Sequence, residues 1–421
     1  MSKQWEAKTL GSLCDFVRGP FGGSLKKSCF KTYGYAVYEQ QHAIYDQFLD
    51  IRYFIDEPKY REMKRFELFP GDLIMSCSGT MGKVAIVPDG IPKGIINQAL
   101  LKLSPKKDIL AEFLKYWMNS PKFYNELIKL SQGVAIKNVA SVKVLKEIQI
   151  YLPPVPEQKR IVAILDEAFE GIDRAIANTE KNLANARELF ESYLNAIFTQ
   201  KGEGWVEKNL EDICSIKHGF AFKGEFFTND PSHYILLTPG SFYESGGYRE
   251  QGEKTKYYVG EVPDTYILRK GDFLFAMTEQ AVGLLGSSLI VPESNRFLHN
   301  QRLGLVQLFN GFEWHNDFFF HQFNTQRFRA AVQSSASGVK VRHTSPKKLG
   351  SIKVFFPRTN AEQKAVADTL NDLYAETKRL ETIYRQKIVA LKDFKQSILQ
   401  KAFTGELTAD IPKTVKEKIA A

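Results

Sequence analysis

The segments PEQKRIVAILDEAF (Pro156–Phe169) and AEQKAVADTLNDLY (Ala361–Tyr374) share a Glu-Gln-Lys triplet and, seven residues after the glutamine, a leucine (Leu165, Leu370). Proline at 156 suits the first turn of a helix, and Asn360 is positioned to cap the second. Glu157 and Glu362 then complement the positive end of a helix dipole. The triplets are read as two helix openings rather than fragments of a nuclease site.

Downstream of each opening, apolar residues recur at steps of three and four. The first stripe runs Val162, Leu165, Phe169, Ile172, Ile176, Leu183, Ala186, Phe190, Tyr193, Ile197, diluted by Thr179. The second runs Val366, Leu370, Leu373, Leu380, Tyr384, Leu391, Phe394, Ile398, interrupted by Thr377 and Lys387. Sustained heptads with charged flanks predict coiled-coil helices. At ~40 residues each would span ~60 Å. Aligned on their triplets, the two stripes are out of step by one position. Glu157, Gln158, Leu165, Ile172 and Tyr193 on the first helix are assigned to a spacer and its partner-binding surface. So are Glu362, Gln363, Leu370, Tyr384 and Ile398 on the second.

The repetition extends beyond the helices. WEAKTLGSLCDFVRG (Trp5–Gly19) is answered 200 positions later by WVEKNLEDICSIKHG (Trp205–Gly219). FPGDLIMSCSGTMGKVAIVP from Phe69 is answered by LRKGDFLFAMTEQAVGLLGSSLIVP from Leu268, and NQALLKL from Asn97 by NQRLGLVQL from Asn300. Runs such as DLIMSC, KVAIV, EIQIYL and SIKVFF read as short strands, and AEFLKYWMNSPKFYNELIKL as helix. The expected fold is mixed α/β: two tandem globular modules separated by two long antiparallel helices, with a pseudo-two-fold internal repeat. The expected divisions are 1–153, 154–201, 202–357, 358–405 and a polar tail over 406–421.

A chain of 421 residues exceeds one ordinary core. With 43% hydrophobic and 25% charged residues it has the composition of a soluble globular protein. No apolar run reaches the ~18 residues of a membrane span, and MSKQWEAKTL lacks a signal-peptide core. The four cysteines form no CxxC pair, so neither zinc nor a disulfide framework is indicated. Cys14 and Cys214 read as buried packing at equivalent core sites. A cytoplasmic location and no membrane partner are expected. The net charge of +9 favours a polyanionic partner.

No catalytic centre is legible. SGTMGKV (Ser78–Val84) resembles a phosphate-binding loop, but its first glycine position is Cys77 and Val84 follows the lysine. There is no HExxH, no GxSxG and no metal-ligand cluster, and LPPVP from Leu152 is a helix lead-in. The loops instead carry groups suited to nucleic acid. RGPFGGSLKKS places Arg18, Phe21, Gly23, Ser24, Lys26 and Lys27 on a flexible backbone, and YEQQHAIY offers Gln40, Gln41 and His42. Gln suits the adenine edge, and Arg or Lys suits guanine. Ser78, Thr80, Lys83 and Lys137 complete the first set. In the second module Lys217, His218 and Lys223 hold the first position, and Ser241 and Tyr243 the second. Thr278, Gln280, Lys340, Arg342 and His343 follow. One framework carrying different polar loops points to two readers of different sequences.

The order of these blocks, with the closing KQSILQKAFTGEL, resembles the specificity subunit of type I restriction-modification enzymes over essentially the whole chain. The resemblance implies a non-catalytic DNA-binding subunit that joins two modification subunits through its helices. Those partners carry S-adenosylmethionine and methylate adenine N6, and restriction subunits add ATP- and Mg-dependent translocation and cleavage. The chain itself would hold no cofactor. Two modules about one DNA turn (~34 Å) apart would read two half-sites of duplex DNA. TEQAVG (Thr278–Gly283) departs from the SGTMG pattern, so contacts implied for Ser78 and Thr80 do not transfer there. An RNA- or tRNA-binding scaffold and a single-chain enzyme with an unrecognised site are the alternatives.

Overall fold

The computed structural model describes residues 5–21, 23–130, 141–280 and 283–408. The chain forms two compact units: Met1–Thr179 with Gln386–Ala421, and Glu180–Arg385. The long helices are Val155–Gln200 and Asn360–Ala402, so each unit takes an α/β module and a segment of both helices.

In the first unit, Cys14–Arg18, Leu100–Pro105, Leu73–Ser76 and Val84–Ile86 form an antiparallel sheet in that order. A second sheet orders Tyr53–Ile55, Tyr35–Tyr38 and Gly94–Ile96, the last pair being parallel. Glu6–Thr9 pairs with Gln149–Leu152 and closes the module. The helices Ala111–Met118 and Pro121–Leu130 bury Phe113, Leu114, Trp117, Phe123 and Leu127 in the main core. The second unit repeats the plan with Cys214–His218, Leu303–Leu308, Phe273–Ala276 and Ser288–Ile290. Tyr234–Leu237 lies parallel to Phe297–His299, and Val206–Asn209 pairs with Lys353–Phe356. Cys14 and Cys214 occupy corresponding core sites, where burial pushes each thiol up to about 12.

Each module is joined to its helix pair by apolar burial. Ile161, Leu165, Leu399, Ala402 and Phe403 complete the first core; Leu194, Phe198, Ala367 and Leu370 complete the second. Within each unit the segments run antiparallel. Lys395 meets Asp173 at 2.6 Å while Leu399 and Phe403 share a core with Leu165 and Ile161. In the other unit Arg187 meets Glu381 at 3.0 Å and Phe190 packs on Tyr374.

The triplets perform more than the expected dipole role. The Gln158 side chain is fully buried: it accepts from Leu110 N–H at 2.9 Å and donates to Asp108 O and Pro153 O, both at 2.9 Å. Gln363 repeats this, accepting from His315 N–H at 2.8 Å and donating to Glu313 O at 3.1 Å and Pro357 O at 3.0 Å. The second helix is capped by Thr359, not by Asn360 as expected: Thr359 Oγ accepts from Glu362 N–H at 3.3 Å, and Thr359 N–H and Oγ donate to the Glu362 carboxylate. Asn360 instead donates to Trp314 O at 3.1 Å.

The buried faces agree with the triplet alignment at Leu165 and Leu370 and at Ile172 and Thr377, and they depart from the apolar stripe at several positions. Ala367, Leu370, Thr377 and Glu381 are buried, and so are Leu165, Ile172 and Thr179. The threonines satisfy their hydroxyls on Leu373 O and Ala175 O. Burial pushes the Glu381 carboxyl up, but Arg187 and Lys378 outweigh it and hold the group below its ordinary range. A stripe of apolar residues cannot register a threonine or an ion-paired glutamate as interior. Tyr193, expected in the seam, is exposed, and Leu194 is buried in its place. Ile398 is half-buried and packs on the first core; Tyr384 is half-buried outside both main cores.

Replacing Gln158 by Leu keeps the volume but leaves one backbone N–H and two carbonyls without partners. An unsatisfied buried group costs ~1–3 kcal/mol. Gln158→Leu and Gln363→Leu should each lower stability to urea by about 3 kcal/mol or more, with Glu157→Gln as a mild control. A loss below about 1 kcal/mol for both would remove the role assigned to these carboxamides.

Candidate nucleic-acid interface

In the first module four segments converge where strands end. The strand Tyr35–Tyr38 runs into the helix Gln40–Tyr45, and Tyr38 O accepts from Asn97 N–H at 2.9 Å. Cys77 N–H donates to Ala99 O at 2.9 Å, setting Ser78 beside the same turn. Ser78 Oγ donates to Gln40 Oε1 at 3.3 Å, which leaves the Gln40 amide N–H groups for another acceptor. Gly19 follows the Cys14–Arg18 strand and presses on the turn: a Cβ there would lie 1.8 Å from Asn97 O.

The remaining expected contacts sort by what already holds them. His42 is fully buried, with Glu39 N–H donating to Nδ1 at 2.9 Å and Nε2 donating to Asp50 O at 3.1 Å. It shapes the loop and presents no free edge. Gln41 donates to Asp50 O at 3.3 Å and braces the same loop. Phe21 is 90% exposed, and Gly23, Lys26 and Lys27 are exposed around half-buried Ser24. Leu25 anchors this segment among Val37, Ile55 and Tyr60. Thr80 and Lys83 are exposed on a hairpin that Ser76 Oγ clasps, donating to Thr80 O at 2.6 Å and accepting from Lys83 N–H at 3.0 Å. Arg18 is half-buried, and Lys137 lies outside the described residues.

The second module shares the frame and differs in its groups. A Cβ on Gly219 would lie 2.1 Å from Asn300 O, and Met277 N–H donates to Arg302 O at 3.0 Å. His218, Lys223, Gln280, Lys340 and His343 are exposed, and Tyr243 is half exposed. Lys217 donates to Thr265 O at 3.0 Å and lies over the Tyr266 ring. Ser241 is buried and accepts from Thr238 N–H at 3.1 Å, so it caps a turn and offers no contact. Thr278 is half-buried and pairs with His343 in a short ladder.

Arg342 points inward. It donates to Glu279 Oε1 at 3.3 Å and to Gln333 O at 2.6 Å. The reason is Glu279, which is buried and accepts from the N–H groups of Gly283, Leu284 and Leu285 at 2.8–3.1 Å. A buried carboxylate requires a cation and donors, and Arg342 with Gln333 completes that set. This network replaces the SGTMG hairpin as the organiser of the second loop.

Sequence reasoning overlooked Gln98, Gln301 and Arg302, which are exposed on the Asn97 and Asn300 turns. The recurrence of Asn-Gln in both modules was the available signal, and it reads equally well as framework. Among the described residues no group of three or more His, Cys, Asp or Glu side chains could hold a metal ion, and no helix is long and apolar enough to cross a membrane.

The family model for the type I restriction modification DNA specificity domain matches twice, over residues 2–184 and 202–389. The chain belongs to that family. Its members are the DNA-recognition components of type I systems rather than their catalytic ones, and this chain has that recognition role. It is 22% identical to the putative type I restriction enzyme MjaX specificity subunit of Methanocaldococcus jannaschii, covering 96% of this chain and 94% of that one. It is 25% identical to the EcoBI specificity subunit of Escherichia coli over 56% of this chain, a match spanning 46% of that subunit. The HsdS subunit from Thermoanaerobacter tengcongensis superposes with TM-score 0.62 at 16% identity, covering 97% and 98% of the chains. A structure from work on complex assembly and conformational transition of the type I R-M system gives 0.76 at 16% identity, covering 96% and 99%. The mixed α/β modules and long helices expected for the family are present in both halves of this chain.

Next to the second turn lies His299, fully buried, with Nε2 donating to Leu303 O at 3.0 Å and Nδ1 without a partner among the described residues. Burial pushes its pKa down to about 4 from 6.5. The unfolded chain therefore takes up this proton first, and the group's contribution is complete above pH 6.5 and lost as pH falls towards 4. The loss is up to about 3 kcal/mol. Urea denaturation between pH 6.5 and 4.5 should show a shallower pH dependence in His299→Gln than in the wild type; equal slopes would remove His299 as the source.

Proposed function

We propose that the chain reads a bipartite, asymmetric site in duplex DNA, each module recognising one half. Partner modification subunits carrying S-adenosylmethionine would methylate adenine N6, and restriction subunits would add ATP-dependent cleavage. The supporting observation is a duplicated frame with unlike polar groups: half-buried Gln40, its amide donors free of Ser78, in one module, and exposed His218 and Tyr243 in the other. On this reading 1–153 and 202–357 are the readers, 154–201 and 358–405 the helices that partners grip, and 406–421 a tail.

A repeated apolar group supports two copies of one partner. Leu189 is 66% exposed and Phe394 is 55% exposed, and they are 205 positions apart, as are Gln158 and Gln363. Leu189→Asp and Phe394→Asp should each reduce the complex from two modification subunits to one by native mass measurement, with unchanged stability of the chain. Full occupancy in both variants would exclude this surface.

Binding-site selection on randomised duplexes with the assembled complex tests the DNA reading. Gln40→Ala should relax one half-site only, by ~1–3 kcal/mol of discrimination. Lys26→Ala or Lys27→Ala should weaken binding to all sequences and lower the salt slope by ~0.9 per lost phosphate contact. The chain alone should transfer no methyl group. Relaxation of both half-sites by Gln40→Ala would contradict independent reading, and preference for RNA in competition would replace DNA as the partner.

A further inference from the structure

From the paired turns at Asn97 and Asn300 we infer that Gln98 and Gln301 form a recognition element shared by the two modules, contacting an A·T pair that both half-sites contain. This rests on the bipartite DNA reading above and extends it from what distinguishes the half-sites to what they have in common.

The two turns are built alike. Asn97 Oδ1 accepts from Ala99 N–H at 3.0 Å, and Asn300 Oδ1 accepts from Arg302 N–H at 3.0 Å. Leu100 N–H donates to Asn97 O at 3.2 Å, and Leu303 N–H to Asn300 O at 3.0 Å. Each asparagine is thus consumed in holding the turn, a use typical of its short side chain. Each glutamine is exposed and its carboxamide has no partner among the described residues.

The turns are also clamped from both sides. Cys77 and Met277 donate to the residue after each glutamine. Gly19 and Gly219 abut the preceding carbonyls so closely that no side chain fits at either glycine. In the second module Gln301 N–H additionally donates to Phe220 O at 3.1 Å. A polar group held on so constrained a backbone meets its ligand at little entropic cost. Around each turn the neighbours differ: Gln40 and Ser78 flank one, and Arg302 stands on the other where the first module has Ala99.

Identical groups on identical turns, set among unlike neighbours, suit a feature present in both half-sites. A carboxamide offers one acceptor and two donors side by side, which matches adenine N7 and N6 in the major groove. It carries no charge, so a phosphate contact would more naturally use the exposed lysines. On the proposed function adenine is the base that the partners modify, and an A·T pair in each half-site, read while still base-paired, is the common feature inferred here.

The test is site selection and strand-resolved methylation by the assembled complex. Gln98→Ala should lose about 5- to 150-fold of the preference for A·T at one position of the first half-site, and Gln301→Ala the same in the second. Gln98→Glu, which removes the donors, should be at least as damaging. Denaturation midpoints should be unchanged, since both side chains are exposed. Uniform weakening on all sequences with a reduced salt slope would make these phosphate contacts and overturn the inference. So would relaxation at a position the half-sites do not share, or no change at all. A wild-type complex that selects no two-part site would instead overturn the underlying DNA reading.

Discussion

A single buried carboxamide in each repeat couples module to helix. Gln158 and Gln363 reach from the first helical turn into the module and take up a backbone N–H and two carbonyls that would otherwise be buried without partners. Apolar burial around Leu165 and Leu370 supplies area but little directional constraint. The three hydrogen bonds supply the direction. A recognition surface is useful only if its orientation relative to the helices is reproducible, and these contacts set it within each unit.

The same economy of hydrogen bonding divides the polar residues of the loops into scaffold and surface. His42, Ser241 and Arg342 carry the chemistry expected of a DNA contact, yet each satisfies a backbone or carboxylate group of its own module. Polar loops folded over strand ends leave backbone groups out of reach of water, and nearby side chains are the first available partners. What remains outward-facing includes Gln40 by its amide donors, the lysines around Phe21, Lys83, His218 and Tyr243, and the glutamines of the two Asn-Gln turns.

Duplication explains why the frames agree while the interiors of the loops do not. In the first module a serine hydroxyl clasps the Ser76–Lys83 hairpin. In the second, Glu279 holds the corresponding stretch through three backbone donors and draws in Arg342 and Gln333. Two unrelated devices support loops at the corresponding place on corresponding sheets. The frame therefore tolerates replacement of its loops, which is what the proposed reading of two unlike half-sites needs.

The amino-acid sequence by itself determined the duplication, the mixed α/β modules, the two long helices and the family, because repeats and heptads are properties of order along the chain. It also placed Cys14 and Cys214 in cores, since they recur at matched positions and an unpaired cysteine is commonly buried. The helix faces were less legible: Thr377 and Glu381 are interior only because a carbonyl and Arg187 lie within reach. The interface was least legible. Whether a glutamine is Gln158, Gln41 or Gln98 — buried brace, loop brace or open group — depends on which donors and acceptors the fold brings to it, from 5 to 50 residues away. Hydrogen-bond satisfaction is a three-dimensional property, and only the tertiary structure decided it.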